Sequence, residues 1–240
     1  METMPLSLTI VIPTLNEADQ MEALLASLGE LRQAGAEIVL ADGGSHDGTL
    51  VFVDESTKLI HAPRGRARQM NAGAATAEGN WLLFLHADTR LPPRVVAMLN
   101  AVMGGVEVNW GFFPIQLTGQ ASLLRWVEKG INWRSRWSCV ATGDQAILVR
   151  RRFFEELGGF ADISLMEDIE LCKRMRKRAR PLVFKEPVMT SSRRWEEKGI
   201  LKTIATMWIL RAAYACGFKP AWLAKFYYKA PPKPSVDRPH

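Results

Sequence analysis

The sequence has few of the residues that characterise secreted or zinc-stabilised proteins. Its 240 residues include only three cysteines, Cys139, Cys172 and Cys216, and no CxxC pair. Their odd number and wide spacing exclude a disulfide framework and a paired-thiol zinc site, so we interpret them as reduced core thiols. No basic segment followed by an apolar signal core opens the chain, and we therefore expect a cytoplasmic protein.

Two common nucleotide-binding signatures and a membrane span are also missing. The sequence contains neither GxxxxGK[ST] nor a GxGxxG after the first predicted strand, which excludes a P-loop and the usual dinucleotide fingerprint. Residues 200–218 are largely apolar, but Lys202 and Arg211 interrupt them, so no uncharged run of about eighteen residues could span a bilayer. Two interpretations of this segment stay open: a helix packed on the domain, or a helix lying on the inner face of the membrane.

Apolar runs that end in polar turns alternate with segments of helical spacing. Hydrophobic residues make up 48% of the chain, enough for a substantial core. Residues 8–13, 36–41 and 81–85 predict buried strands, with a helix over residues 19–34 between the first two. This β-α-β pattern predicts a mainly parallel sheet flanked by helices. Further along, residues 110–117 alternate like one more strand.

Carboxylates follow two of these strands, where an open α/β sheet binds its ligands. Asp42 begins a glycine-rich turn after the second predicted strand, and Asp88 follows the strand at residues 81–85. Residues 63–73 place three arginines around Gly65 at the start of a helix, which suits a diphosphate. Glu167 and Asp168 open a later helix, where capping alone or a functional role could explain them. The net charge of +6 favours an anionic partner, without choosing among phosphates, acidic lipids and nucleic acid.

Six segments together resemble family 2 glycosyltransferases of the GT-A fold. They are residues 12–17, 42–49, 64–73, 86–88, 143–145 and 167–168, in the order and spacing of that family across residues 8–195. The HADT sequence at residues 86–89 and SRRW at 192–195 resemble, more narrowly, a bacterial subgroup of selenodomain-associated transferases, some of them linked to arsenosugar biosynthesis.

The resemblance implies a nucleotide-sugar donor, usually a UDP-sugar, held with Mn²⁺ or Mg²⁺. Asp88 stands where the family has the last carboxylate of Asp-x-Asp and is implied as the metal ligand, while His86 replaces the first, for a ribose contact or a metal role. Gly43 stands where many relatives have an aspartate that reads uracil. The residues implied to bind the donor nucleotide are Pro13, Leu15, Glu17, Asp42, Gly44, Arg66, Asn71, His86 and Ala87.

For the reaction, the resemblance implies an inverting transfer. Asp168, next to Glu167, would take the proton of the acceptor, while Arg66 and the metal ion stabilise the leaving diphosphate. The acceptor, which the sequence does not identify, could be a small metabolite or a lipid phosphate. The residues implied on the acceptor side are Gly143, Asp144, Gln145, Arg194 and Trp195.

Two alternatives to this function remain at the level of sequence. A nucleotidyltransferase could use the same sheet and carboxylate-bound metal. A non-catalytic basic module could bind nucleic acid by stacking on the Trp and Arg residues of 125–137, although this cluster is more simply an acceptor wall or packed core and we expect no nucleic acid partner. For the domain organisation we expect a GT-A domain over residues 1–198, a helical region over 199–229 and a disordered, proline-rich tail over 230–240.

Overall fold

The strands form where β-branched and aromatic residues run together. In this computed structural model, which describes residues 6–104 and 107–227, the described residues contain ten strands in two sheets. The strands are β1 (Leu8–Thr14), β2 (Glu37–Asp42), β3 (Lys58–His61), β4 (Trp81–Phe84), β5 (Thr89–Arg90), β6 (Trp110–Phe112), β7 (Ile115–Leu117), β8 (Ile147–Arg150), β9 (Leu182–Val183) and β10 (Val188–Thr190).

The larger sheet has the strand order β3-β2-β1-β4-β8-β6-β9. Strands β3, β2, β1 and β4 are parallel, β6 and β9 are also parallel, and β8 runs antiparallel to both of its neighbours, β4 and β6. The smaller sheet has the order β5-β10-β7. The predicted α/β fold with a mostly parallel central sheet is therefore confirmed.

Helices cover both faces of the larger sheet. They are α1 (Ala18–Ser27), α2 (Gly29–Gln33), α3 (Arg66–Ala75), α4 (Val95–Met103), α5 (Ser122–Ser138), α6 (Arg151–Glu156), α7 (Glu167–Arg178), α8 (Arg193–Lys198), α9 (Ile200–Ala215) and α10 (Pro220–Tyr227). Two short 3-10 turns, Thr49–Phe52 and Gly143–Gln145, lie among the loops.

Two hydrophobic clusters form the core, and successive residues of β1 belong alternately to one and the other. Ile10 and Ile12 belong to the first cluster, with α1, α2 and α4, whereas Val11 belongs to the second, with α3 and α7. This division follows from the period of two in a strand, which points alternate side chains to opposite faces. Both faces of β1 are thus buried, which explains its uninterrupted apolar sequence.

The structure corrects three details of the sequence prediction. The helix expected over residues 19–34 is broken at Leu28, whose N–H bonds the carbonyl of Leu25 before α2 begins. The strand expected over residues 110–117 is two strands in different sheets, because Pro114 has no N–H to continue a ladder. Of the cysteines, Cys172 is buried as expected, but Cys216 is exposed and Cys139 half-buried, so these two are not core thiols.

Helices α9 and α10 form the helical appendage expected after the sheet. Leu210 of α9 and Leu223 of α10 are buried in the second hydrophobic cluster. Within residues 6–104 and 107–227, no helix combines the length and the apolar character that crossing a bilayer requires. A domain boundary at residue 198 stays a prediction, and the predicted disordered tail, 230–240, lies outside the described residues.

Candidate functional site

The predicted donor residues meet because β2, β1 and β4 are parallel neighbours. Thr14 at the end of β1 pairs with Asp42 at the end of β2, and Val11 pairs with Phe84 at the end of β4. The turns that follow the three strands therefore open at one edge of the sheet. This edge is where the sequence placed the ligand.

Asp42 is fixed in a cradle of its own turn. Its carboxylate accepts hydrogen bonds from the backbone N–H groups of Gly44 (3.0 Å) and Ser45 (3.1 Å) and from the Ser45 hydroxyl (2.6 Å). Burial works against ionisation of this side chain, but the bonds from Ser45 and Gly44 outweigh it and hold the pKa of Asp42 below its usual value. Asp42 is therefore an ionised, pre-oriented acceptor at neutral pH.

Asp88 and Glu17 form a pair of carboxylates beside arginine side chains. Burial raises the pKa of Glu17, and the nearby charge of Asp88 raises it further, while Arg193 and Arg66 act in the opposite direction. The Asp88 backbone carbonyl accepts a hydrogen bond from the N–H of Ser191 (3.2 Å), which ties this turn to the end of β10. The charges of this group suit a polyphosphate with its cation.

The donor set of this pair fits a divalent ion that shares its coordination with a ligand. Among the described residues, no cluster of three or more His, Cys, Asp or Glu side chains could hold a metal ion. Asp88 and Glu17 supply carboxylate oxygens, which hard cations prefer, and Mg²⁺ commonly takes one or two carboxylates with phosphate oxygens and water. The residues therefore fit a metal that binds together with a diphosphate.

Glu167 is buried and Asp168 is half-buried at the N-terminal end of α7. The residue before them, Met166, has φ of 69°, a left-handed conformation that is strained for a residue with a side chain and that is often found at functional sites. Burial raises the pKa of Asp168, against hydrogen bonds from the N–H groups of Gly143 (2.7 Å) and Ile169 (2.7 Å). Burial and the charge of Asp168 raise the pKa of Glu167 to about 7. Such a carboxyl pair can exchange protons near neutral pH.

His86 connects the donor edge to this carboxyl pair. A Cβ placed on Gly143 would lie 2.4 Å from the imidazole Nε2, so His86 packs directly on the backbone that holds Asp168. Burial, and then the charge of Arg66, lower the pKa of His86 to about 3, which keeps the ring neutral. His86 and Gly143 line one pocket together with Glu167 and Asp168, and Met70 and Phe160 form part of its apolar wall.

Several predicted site residues serve to hold the backbone of the site. Gln145 is buried, and its amide accepts from the N–H of Thr142 and donates to the Phe113 carbonyl and the Ser135 hydroxyl. The amide of Asn71 bonds both backbone groups of Phe160, at 2.8 and 2.9 Å. Direct contact of Asn71 or Gln145 with a substrate stays a prediction.

The remaining predicted residues divide between the donor edge and the C-terminal part of the site. Pro13 lies in β1 beside Ala41, the half-buried Leu15 and the exposed Gly44 lie in the two turns, and the buried Ala87 lies between His86 and Asp88. In the C-terminal part, the Arg194 guanidinium contacts the hydroxyl and ring of Tyr227. Trp195 packs against the first hydrophobic cluster, and Asp144 is half-buried beside Gly143.

The sequence reasoning missed three residues that complete this region. Gln69 is buried in α3 and donates hydrogen bonds to the carbonyls of Thr14 (2.7 Å) and Ala41 (2.8 Å), which joins the ends of β1 and β2. Arg134 and Arg211 place their charges beside Asp168 and Asp144. The available signal for Gln69 was a polar residue in a helix whose other face is apolar. This signal could not reveal its role, because its two hydrogen-bond partners are distant in sequence.

Comparison with known families gives a match to the first half of the chain, which contains some of the candidate site residues. Residues 9–117 match the model of the family described as glycosyl transferase family 2. The matched segment contains β1 to β7, and with them Asp42, Arg66 and Asp88, but not Asp168.

Named relatives match over similar segments. Residues of the chain are 41% identical over 91 residues to a PGL/p-HBAD biosynthesis glycosyltransferase of Mycobacterium bovis, covering 35% of this chain and 36% of that protein. They are 31% identical over 160 residues to an undecaprenyl-phosphate 4-deoxy-4-formamido-L-arabinose transferase of Pseudomonas fluorescens, covering 59% of this chain and 45% of that protein. The chain thus spans less than half the length of these curated relatives.

Solved structures share the fold over most of the chain. A mannosyltransferase of Pyrobaculum calidifontis, in complex with GDP-Man and Mn²⁺, aligns with a TM-score of 0.56 and 22% identity, covering 78% of this chain and 56% of the other. S. aureus TarS 1–349, in complex with UDP-GlcNAc, aligns with a TM-score of 0.62 and 16% identity, covering 77% and 58%. The predicted GT-A fold is confirmed by these similarities.

Proposed function

We propose that this chain is a family 2 glycosyltransferase, which moves a sugar from a nucleotide-sugar donor to an acceptor hydroxyl or phosphate with inversion at the anomeric carbon. The match of residues 9–117 to the model of that family supports the proposal. The observation that carries this proposal is that His86, two residues before Asp88, lines one pocket with Glu167 and Asp168. Asp42 and Asp88 follow strands at the same edge of the sheet, and the charge of Arg66 acts on both His86 and Glu167. The donor that we propose is a UDP-sugar.

On the donor side, the fixed carboxylate of Asp42 can accept hydrogen bonds from the nucleoside. Its neighbour Gly43 leaves that position without a side chain, and a Cβ there would lie 3.0 Å from the amide of Gln69. Arg66 begins α3, so its guanidinium and the helix N-terminus can both stabilise a diphosphate. Mn²⁺ or Mg²⁺, held by Asp88 with Glu17 nearby, would neutralise part of the diphosphate charge.

On the acceptor side, Asp168 is the proposed general base. The acceptor oxygen attacks the anomeric carbon, the bond from that carbon to the diphosphate oxygen breaks, and Asp168 takes the proton of an acceptor hydroxyl. The N–H of Gly143 fixes the Asp168 carboxylate at 2.7 Å, and the raised pKa of Asp168 makes it a stronger base than an exposed aspartate. Attack from the face opposite the diphosphate inverts the configuration.

The test is the replacement Asp168→Asn, assayed by release of nucleoside diphosphate from UDP-sugars in the presence of Mn²⁺. We expect turnover to fall by roughly 10²–10⁴, the usual contribution of a general base, while UDP binding is retained. The matched control is Asp162→Asn, an exposed aspartate that precedes α7 and pairs with Arg68. Near-full turnover in folded Asp168→Asn would contradict the proposed base, and release of pyrophosphate would indicate nucleotidyl transfer instead.

We also propose that the protein contacts anionic membranes through the outer faces of α5, α9 and α10. Residues 199–227 contain four basic and no acidic residues. Exposed aromatic side chains on the three helices and the α9–α10 turn are flanked by lysines, a composition suited to the interface of an acidic bilayer. The aromatic residues are Trp126, Trp133, Trp137, Trp208, Phe218, Trp222 and Phe226.

A further inference from the structure

The side chain of Arg134 is turned into the protein, unlike its neighbours on α5. Trp133 and Trp137 are 70% and 79% exposed, whereas the Nε and Nη2 atoms of Arg134 have no solvent contact. Neither atom has a hydrogen-bond partner among the described residues. Arg134 as a whole is half-buried, but two buried guanidinium nitrogens without partners are costly, so a site that retains them is expected to have an external ligand.

A second arginine reaches the same place from a different helix. Arg211 of α9 is partly buried, and its charge lies close enough to that of Arg134 for the two to repel. Burial, and then Arg211, lower the pKa of Arg134 to about 10, so the side chain keeps its proton at neutral pH. Arg211 forms no hydrogen bond or ion pair with any residue in the described part of the chain.

The neighbouring carboxylates do not satisfy these donors. Asp144 and Asp168 act electrostatically on both arginines, but within the described ranges no ion pair of 4.0 Å or less joins them. The Oδ1 atom of Asp144 is itself buried without a partner. Unused donors and an unused acceptor therefore lie together, which suits a ligand that carries both an oxyanion and a hydroxyl.

This group is separate from the donor side. Arg66 acts on Glu17, Glu167 and His86, whereas Arg134 and Arg211 act on Asp144 and Asp168. Within the carboxyl pair, Glu167 is thus influenced by the charge of Arg66, and Asp168 by the charges of Arg134 and Arg211. In the function proposed above, Arg134 and Arg211 do not bind the diphosphate.

We propose that Arg134 and Arg211 bind a phosphate group of the acceptor, next to the acceptor oxygen that Asp168 activates. This rests on the proposed transferase function and defines its acceptor as a phosphate ester. A phosphate offers oxygens in several directions and can accept from two guanidinium groups on different helices. Asp144 accepts a hydrogen bond from a hydroxyl of the same molecule.

The test measures binding of glycerol 3-phosphate by calorimetry after UDP and Mn²⁺ have filled the donor side. Glycerol is the neutral control, and vesicles with and without lysophosphatidic acid present the same phosphate, beside a free hydroxyl, on a lipid. We expect the phosphate ester to bind and glycerol not to bind. Arg134→Gln and Arg211→Gln should each weaken phosphate binding at least tenfold, and Arg136→Gln, at an exposed position of α5, should leave it unchanged.

The outcomes separate this inference from the proposed function. Wild type that binds UDP but neither glycerol 3-phosphate nor lysophosphatidic acid would overturn the inference and leave the transferase proposal standing. Wild type that does not bind any nucleoside diphosphate would overturn the transferase proposal itself. A phosphate affinity of Arg134→Gln and Arg211→Gln that equals the affinity of wild type would also overturn the inference. Melting curves verify that both variants fold, because the loss of an unpartnered buried charge should not destabilise the protein. Binding of only one form of the phosphate identifies a soluble or a lipid acceptor.

Discussion

The Gly143 N–H donates a hydrogen bond of 2.7 Å to the Asp168 carboxylate, and the Cα of the same glycine lies against His86. One residue without a side chain therefore sets the distance between the donor edge and the proposed base. Any side chain at position 143 must displace the imidazole or the turn.

We expect Gly143→Ala to destabilise the protein by about 1–3 kcal/mol and to lower turnover, because its Cβ would lie 2.4 Å from His86. Thermal and urea unfolding give the stability. Gly130→Ala is the control, since a Cβ on this exposed glycine of α5 meets no atom within 4 Å, and helix propensity should make it neutral or stabilising. Adding His86→Ala should recover part of the lost stability; a fully additive double variant would contradict the contact.

Glu167 gives a pH dependence of stability. Its pKa is about 7 in the folded protein, against 4.5 as the ordinary value, so the folded state holds the proton more tightly. This contribution is complete below pH 4.5 and is lost as the pH rises through 7, by as much as about 3 kcal/mol. The stability of wild type relative to Glu167→Gln should therefore fall as the pH rises from 4.5 to 7. A free-energy difference that is independent of pH would show that folding does not raise the pKa of Glu167.

We expect Gln69→Leu to weaken donor binding more than it lowers kcat. The change removes the Gln69 hydrogen bonds to the carbonyls of Thr14 and Ala41, although the Thr14 carbonyl keeps its bond from the Gly43 N–H. We expect a cost of about 1–3 kcal/mol in stability and a looser junction of β1 and β2. Donor KM, kcat and urea unfolding provide the measurement. Gln33→Leu, at an exposed position of α2, controls for the loss of an amide; equal behaviour of the two variants would rule out a positioning role.

For the membrane contact, we expect wild type to float with vesicles that contain phosphatidylglycerol and to remain unbound with pure phosphatidylcholine. Trp208→Ser and Trp222→Ser should weaken flotation, because both side chains are more than half exposed on α9 and α10. Val51→Ser removes an 82% exposed apolar side chain from a different segment and should have no effect. If the tryptophan variants instead lose only self-association, a second copy of the chain covers this face.

The central strands and the ends of β1, β2 and β4 could be predicted because their signals are local. Buried parallel strands read as unbroken apolar runs, and the polar turn after each run marks its end. The same reasoning read residues 110–117 as one strand, because alternation continues across Pro114 and does not show that the chain changes sheets. Strand direction was equally hidden, since β8 is as apolar as a parallel strand and runs antiparallel.

The positions of Arg134 and Arg211 in the fold could not be predicted from local sequence patterns, for a different reason. Arg134 lies among exposed Trp133, Arg136 and Trp137, which read together as one basic aromatic face. Only the packing of α5 against α9 and the 143–145 turn distinguishes the one inward-facing guanidinium from its neighbours. Arg211 was noticed in the sequence only as an interruption of an apolar segment. The donor residues stood out because the turns after the strands carry them.

The hydrogen bond from the Ser191 N–H to the Asp88 carbonyl joins the two halves of the chain at the metal-binding carboxylate proposed above. The sequence up to β7 supplies the groups proposed to bind the nucleotide, while the proposed base and the inward-facing Arg134 and Arg211 come from later segments. Such a division allows donor specificity and acceptor specificity to change separately in evolution. Descendants could exchange one acceptor for another by changes after residue 117, provided that the β5–β10 contact keeps the inherited donor chemistry in place.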